Sequence, residues 1–262
     1  MEAVQRFFRH SVLSYKALFG WLDPKVYVFV MVLNPFSQLL FFAVLVNYVY
    51  GGEGLAGYIA SNALLLCVMN SVFGIMSVIT SDRGMGTLQL VMSTPSSKAP
   101  LFISRSLAHV VNGMFTAVIG LVFGILLFGL SIPLDALLSL LVIWLVSIFS
   151  ACGLGLIIAT FCLWSPSMHL WSNLLASLLL LVSGANYPLS VMPAWLEQIA
   201  AFVPLTRGVR LTKDIVNQGD FSHMTALLSQ EFLLGCFFFA ISLVLIAYAE
   251  YLARVKGTMD LE

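Results

Sequence analysis

Six long apolar runs, separated by short polar segments, set the architecture of this chain. They lie at about 26–49, 56–80, 108–128, 137–161, 168–183 and 225–248. Each reads as a membrane-spanning helix, since about 20 apolar residues rising 1.5 Å apiece cross ~30 Å of hydrocarbon. Ahead of them, Val4, Phe8, Val12, Tyr15, Phe19 and Leu22 recur at three or four while Gln5, Arg6, Arg9, His10 and Lys16 fall largely elsewhere. Residues 1–24 are therefore expected as an amphipathic helix in the membrane interface, ended by Asp23-Pro24. Gly51-Gly52-Glu53-Gly54 is a tight turn that makes the first two spans antiparallel neighbours.

Between the second and third spans lies a polar island, Ser81 to Pro95. Asp82 is expected to cap the start of a short helix, 82–93, by accepting from first-turn N–H groups. Met85, Leu88 and Met92 form its apolar stripe, and Pro95 stops it. A helix this short is marginal alone, so it needs a surface to pack on. The third span carries Gly120 and Gly124, and the fourth carries Ser150, Ala151, Gly153 and Gly155, both suited to close helix packing.

From Gly184 to Ser222 the pattern changes, punctuated by Pro188, Pro193 and Pro204. The apolar piece Ala194 to Val203 is too short to cross the bilayer and is expected as a re-entrant or interfacial helix. Thr206 is placed to cap a second short helix reaching Val216. The fold class expected is an all-α integral membrane protein, residues 1–262 forming one domain. It comprises six transmembrane helices, the N-terminal interfacial helix, the island helix and short external helices over 186–216.

Composition fits this picture, with 60% hydrophobic and 9% charged residues among 262. Twelve basic and twelve acidic residues balance, so nothing suggests a nucleic-acid partner. One face collects Arg6, Arg9, Lys16, Lys25, Arg83, Lys98, Arg105, Arg254 and Lys256, the other only Arg207, Arg210 and Lys213. The positive-inside rule then puts both termini and the island in the cytoplasm and the Pro-rich segment outside. The basic residues spread through 1–16 do not form a cleavable signal pattern.

Catalytic chemistry is not evident. Gly124 and Gly129 have P-loop separation, but Leu130 stands where the phosphate-binding lysine belongs. His10, His109, His169 and His223 are isolated, Cys67, Cys152, Cys162 and Cys236 sit singly in apolar runs, and no G-x-S-x-G elbow occurs. No cofactor or metal is expected on this chain. Glu231 and Glu250, near the ends of the last span, read as snorkelling interfacial residues or as functional carboxylates. Asn34, Gln38, Asn62, Asn70 and Asn173 lie inside spans, where they either bond between helices or line an amphipathic path.

Two motifs resemble those of a known family. Arg83 with Gly86-Thr87-Leu88-Gln89 and Thr94-Pro95 resembles the coupling-helix region of ABC-2 type permeases, the membrane subunits of many bacterial ABC exporters. Ser183-Gly184, Tyr187-Pro188-Leu189, Met192-Pro193 and Pro204-Leu205-Thr206-Arg207 resemble that family's signature before its last span. Gln89 stands where an acidic residue is common, and Lys213 where Arg or Gln is usual.

The resemblance implies a permease of the bacterial cytoplasmic membrane that dimerises, as homodimer or heterodimer. It would be driven by a separate cytoplasmic ATPase subunit that binds ATP and Mg. Asp82, Arg83, Thr87, Leu88 and Gln89 would then form the ATPase-coupling surface. Asn34, Gln38, Asn62 and Asn70 would lie along the substrate path among membrane lipid. Tyr187, Pro188, Pro193 and Trp195 would belong to an external gate. Family members export drugs and antibiotics, lipo-oligosaccharides, or polysaccharide and teichoic acid chains. The Phe-, Leu- and Met-rich spans favour an amphipathic or lipid-like compound here. A stand-alone channel or ion-coupled transporter is the competing class, which would call for internal repeats with paired broken helices.

Overall fold

A computed structural model describes residues 5, 9, 11–13, 16, 23–87, 90, 91, 94, 98–130, 132, 134–162 and 168–256. Every regular element among the described residues is helical. In chain order these are α1 (Pro24–Tyr50), α2 (Leu55–Gly84), α3 (Lys98–Phe128), α4 (Leu134–Phe161), α5 (Met168–Val182), a 3-10 turn (Leu189–Val191), α6 (Ala194–Ala200), α7 (Thr206–Gln218) and α8 (Met224–Lys256). Five of them, α1, α2, α3, α4 and α8, are long and apolar enough to cross a membrane. The sixth apolar run forms α5, whose 15 residues rise only about 22 Å.

The core is built around α2. Every side chain from Ile59 to Val68 is buried, as expected of a helix that is apolar all round. On α3, Arg105 meets Asp82, His109 packs at Gly74, Gly113 against Cys67 and Gly120 against Ala63, so α3 runs antiparallel to α2. A Cβ on Gly113 would come within 2.5 Å of the Cys67 carbonyl, and one on Gly120 within 3.1 Å of Ala63. Small residues let the two backbones close up. Parallel to α2, α4 seats Gly155 on Val72 and presents Gly153 to Phe238 and Phe239 of α8. Phe149 stacks on Phe232 and Phe239. α1 is peripheral and exposes Phe29, Phe41, Val44 and Tyr48.

Three expectations are corrected. The island does not begin a helix at Asp82, because α2 runs on through Gly84, its buried stripe continuing past Val78 and Ile79 to Asp82 itself. Nor does α3 wait for the apolar run at 108; it starts at Lys98, since Arg105, which looked like a loop cation, is neutralised against Asp82 inside the bundle. Thr206 is the first residue of α7, not its cap; the cap position is Leu205. Asp23 caps α1, its carboxylate accepting from the Lys25 N–H at 2.8 Å; the interfacial helix expected over 1–24 lies mostly outside the described residues.

Candidate functional site

At the end of the bundle carrying Asp82, α2 stops in a Schellman motif. The Gly86 N–H donates to the Arg83 carbonyl at 3.0 Å and the Thr87 N–H to the Asp82 carbonyl at 2.9 Å. Gly86 takes φ +69°, the left-handed conformation this motif requires and glycine adopts freely. The stretch Asp82 to Thr87 is thus a helix stop, and its side chains tie that stop into the bundle. Arg105 donates to both Asp82 carboxylate oxygens, at 2.5 and 2.9 Å, a bidentate pair. Arg83 donates to the Cys162 carbonyl just past α4, at 3.2 Å.

Beyond the stop Leu90 and Val91 lie in a helical turn, the Val91 N–H donating to the Thr87 carbonyl at 2.9 Å. The fully buried Lys98 closes the loop by donating to the Thr94 carbonyl and hydroxyl. Leu90 stands exposed on this turn, whereas Leu88 and Gln89 lie outside the described residues.

The four intramembrane amides part company. Asn34 and Asn70 line one chamber of about 320 Å³ with Tyr27, His109, Asn112 and Thr116, and Asn70 donates to the Thr116 hydroxyl at 2.9 Å. Gln38 does not line it. Asn62 is buried elsewhere, donating to Asn186 at 2.7 Å, which is the helix-bonding role. Next to the chamber lies an apolar groove of about 620 Å³ between the N-terminal segment, α1 and α3. Asn112, which sequence reading passed over, accepts from the Tyr27 hydroxyl at 2.7 Å; its signal was a lone amide in an apolar run.

The opposite end is held by buried polar contacts. Glu231, expected at an interface or in a functional role, is 1% exposed. Its carboxylate accepts from the Leu205 N–H at 2.7 Å and lies 3.5 Å from Arg207. Leu205 has φ +85°, a strained conformation for a leucine, and this bond holds it at the start of α7. Arg207 also donates to the Ala201 carbonyl at 2.7 Å. Lys213 donates to the Gly184 carbonyl at 2.6 Å and stands 3.7 Å over the Tyr58 ring. Burial pushes its ammonium down to about 7, opposed by the neighbouring Asp214. Asn217 accepts from the Gly57 N–H at 2.8 Å, satisfying a free first-turn donor of α2.

Of the expected gate residues, Tyr187 donates its hydroxyl to the Leu181 carbonyl. Pro188 and Pro193 stand at the starts of the 3-10 turn and of α6, and Trp195 is exposed. Glu250 is half-buried near the end of α8. No cluster of three or more metal-ligating side chains occurs among the described residues.

The class defined by these features is a multi-pass helical membrane protein in which the polar end of α2 is bonded to α3 and to the tail of α4. The chain matches the ABC-2 type transporter family over residues 12–216 and belongs to it. It is 26% identical over 155 residues to the probable multidrug ABC transporter permease YbhR of Escherichia coli (strain K12), and equally to the protein of that name in Escherichia coli O157:H7. The match covers 57% of this chain and 42% of each relative, so the chain spans under half the length of the curated relatives it matches.

Proposed function

We propose that this chain is the membrane-spanning permease subunit of an ATP-binding cassette exporter that carries an amphipathic or lipid-like compound out across the cytoplasmic membrane. ATP and Mg would be bound by a separate cytoplasmic ATPase. Two permease copies would form the working unit, with α5 as a short sixth span and both termini cytoplasmic. The observation that carries this reading is the corner at Asp82–Thr87. Asp82 and Arg83, in the last turn of α2, bond to Arg105 of α3 and to the Cys162 carbonyl just past α4, so a displacement applied there would be shared by three spans.

Nucleotide drives such a cycle only if one arrangement of the bundle binds the loaded ATPase more tightly than the other. Arg83, Thr87 and Leu88 are the assigned docking residues, with Leu88 the apolar anchor. That the relative above is named a probable multidrug ABC transporter permease supports small amphiphiles over polymers as the cargo of this chain. The test is a pull-down of the detergent-solubilised chain from its native membrane. A co-purifying ATPase of separate sequence with vanadate-sensitive activity is expected, and Leu88→Asp should lose it. Recovery of the chain alone, or unchanged recruitment in the variant, removes the assignment.

A further inference from the structure

We propose that the apolar groove and the amide-lined chamber are two compartments of one binding site for an uncharged amphiphile, with the Tyr27–Asn112 hydrogen bond as the partition between them. The two compartments share Tyr27, Met31 and Asn112, so the 2.7 Å bond from the Tyr27 hydroxyl to Asn112 spans their common wall. On one side Val12, Leu107, Val111 and Phe115 offer an apolar bed of about 620 Å³, within the ~300–1,000 Å³ of pockets that enclose small molecules. On the other, about 320 Å³ is faced by groups with hydrogen-bonding capacity to spare.

That spare capacity can be assigned atom by atom. Asn34 is exposed on α1 and makes no hydrogen bond among the described residues. Asn70 spends its amino group on Thr116, leaving its carbonyl oxygen. Asn112 spends its oxygen on Tyr27, leaving its amino group. Pro35 has no N–H with which to close the helix bond to the Met31 carbonyl. Donors and acceptors therefore face the chamber together, which suits a hydroxyl or amide able to do both. Polar groups left unsatisfied at membrane depth are costly, so an occupant that pairs with them gains accordingly.

Charge narrows the class further. Among the described residues no carboxylate lines either compartment, so a cation finds no counter-ion there, and Lys16 on the groove opposes it. An anion would meet Lys16 only in the groove. A charge carried into the chamber meets no Lys, Arg, Asp or Glu among the described residues, and the imidazole of His109 is the one nitrogen base beside it, so burying that charge is expensive. Only the identification of the occupant as cargo rests on the permease reading; binding itself needs neither ATP nor a partner.

The test uses 3-azioctanol, a photoreactive alcohol with a neutral head, irradiated with the purified full chain and mapped by mass spectrometry. Adducts competed by excess octanol are expected within 27–35 and 107–116. The double variant Asn34→Leu, Asn70→Leu should lower them roughly three- to tenfold, the loss of one or two hydrogen bonds. Tyr27→Phe keeps the ring and removes the partition bond, so labelling of chamber residues should rise several-fold relative to groove residues. The octanoate and octylammonium analogues should give no competed cluster.

Adducts spread evenly over α4 and α8, insensitivity to both variants, or equal labelling by a charged analogue would overturn the proposal. Failure of the permease reading is read separately, as the absence of a co-purifying ATPase, and leaves the labelling pattern untouched.

Discussion

Gly86 and Glu231 each hold a turn that the neighbouring residues could not hold unaided. A Cβ on Gly86 would touch nothing within 4 Å, so Gly86→Val costs only the left-handed backbone, roughly 1–2 kcal/mol. A lowered unfolding midpoint in detergent and weakened ATPase recruitment are expected together. Glu231→Gln keeps an acceptor for the Leu205 N–H, whereas Glu231→Leu strands that donor in the interior at a cost of about 1–3 kcal/mol. The leucine variant should therefore melt well below the glutamine variant, and equal melting would assign Glu231 no role in holding the turn.

Lys213 supplies a pH dependence. Its ammonium is pushed from its ordinary value down to about 7 in the fold, so between that pH and about 10.4 the unfolded chain binds more protons. Stability is present at high pH and lost as pH falls towards 7, despite the Tyr58 ring that favours the protonated form. Lys213→Met should flatten the dependence of the melting midpoint on pH across that window. None of these three roles was plain from the sequence. A lone glutamate at a span end reads as snorkelling until the neighbouring Leu205 N–H is seen, and that pairing joins residues 26 positions apart.

Among the elements, α2 and α3 carry the tightest contact. At Gly113 a Cβ would come within 2.3 Å of the Ser71 hydroxyl and 2.5 Å of the Cys67 carbonyl. Backbone cannot give way as a side-chain tip can, so Gly113→Ala should destabilise by about 1–3 kcal/mol. Gly84→Ala, where a Cβ meets nothing within 4 Å, should be near neutral. Yields of monodisperse protein and melting midpoints check the contrast. Apolar runs made the long helices legible, and the Gly120 and Gly124 face packs as its spacing implied, against Ala63 and Ile59. The helix ends were less legible, because hydropathy stops at a charge, whereas α2 and α3 run on through Asp82 and Arg105 once those charges meet. The Schellman stop was masked by the same aspartate, which suits a helix start equally well in sequence.

On the scale of the whole molecule, one end is a corner where the last turn of α2 is bonded to α3 and to the tail of α4. The other is a set of short helices fastened by Glu231, Lys213 and Asn217. Between them an apolar groove and an amide-lined chamber sit on the α1 side. Such a body suits a push at the corner that is felt across the bundle, which is what coupling to an ATPase requires. The deciding measurement is movement of a neutral amphiphile in vesicles that hold the chain together with any ATPase that co-purifies with it. The permease assignment predicts ATP-dependent, vanadate-sensitive movement that Leu88→Asp abolishes. Movement that needs no ATP and follows an imposed ion gradient would contradict it.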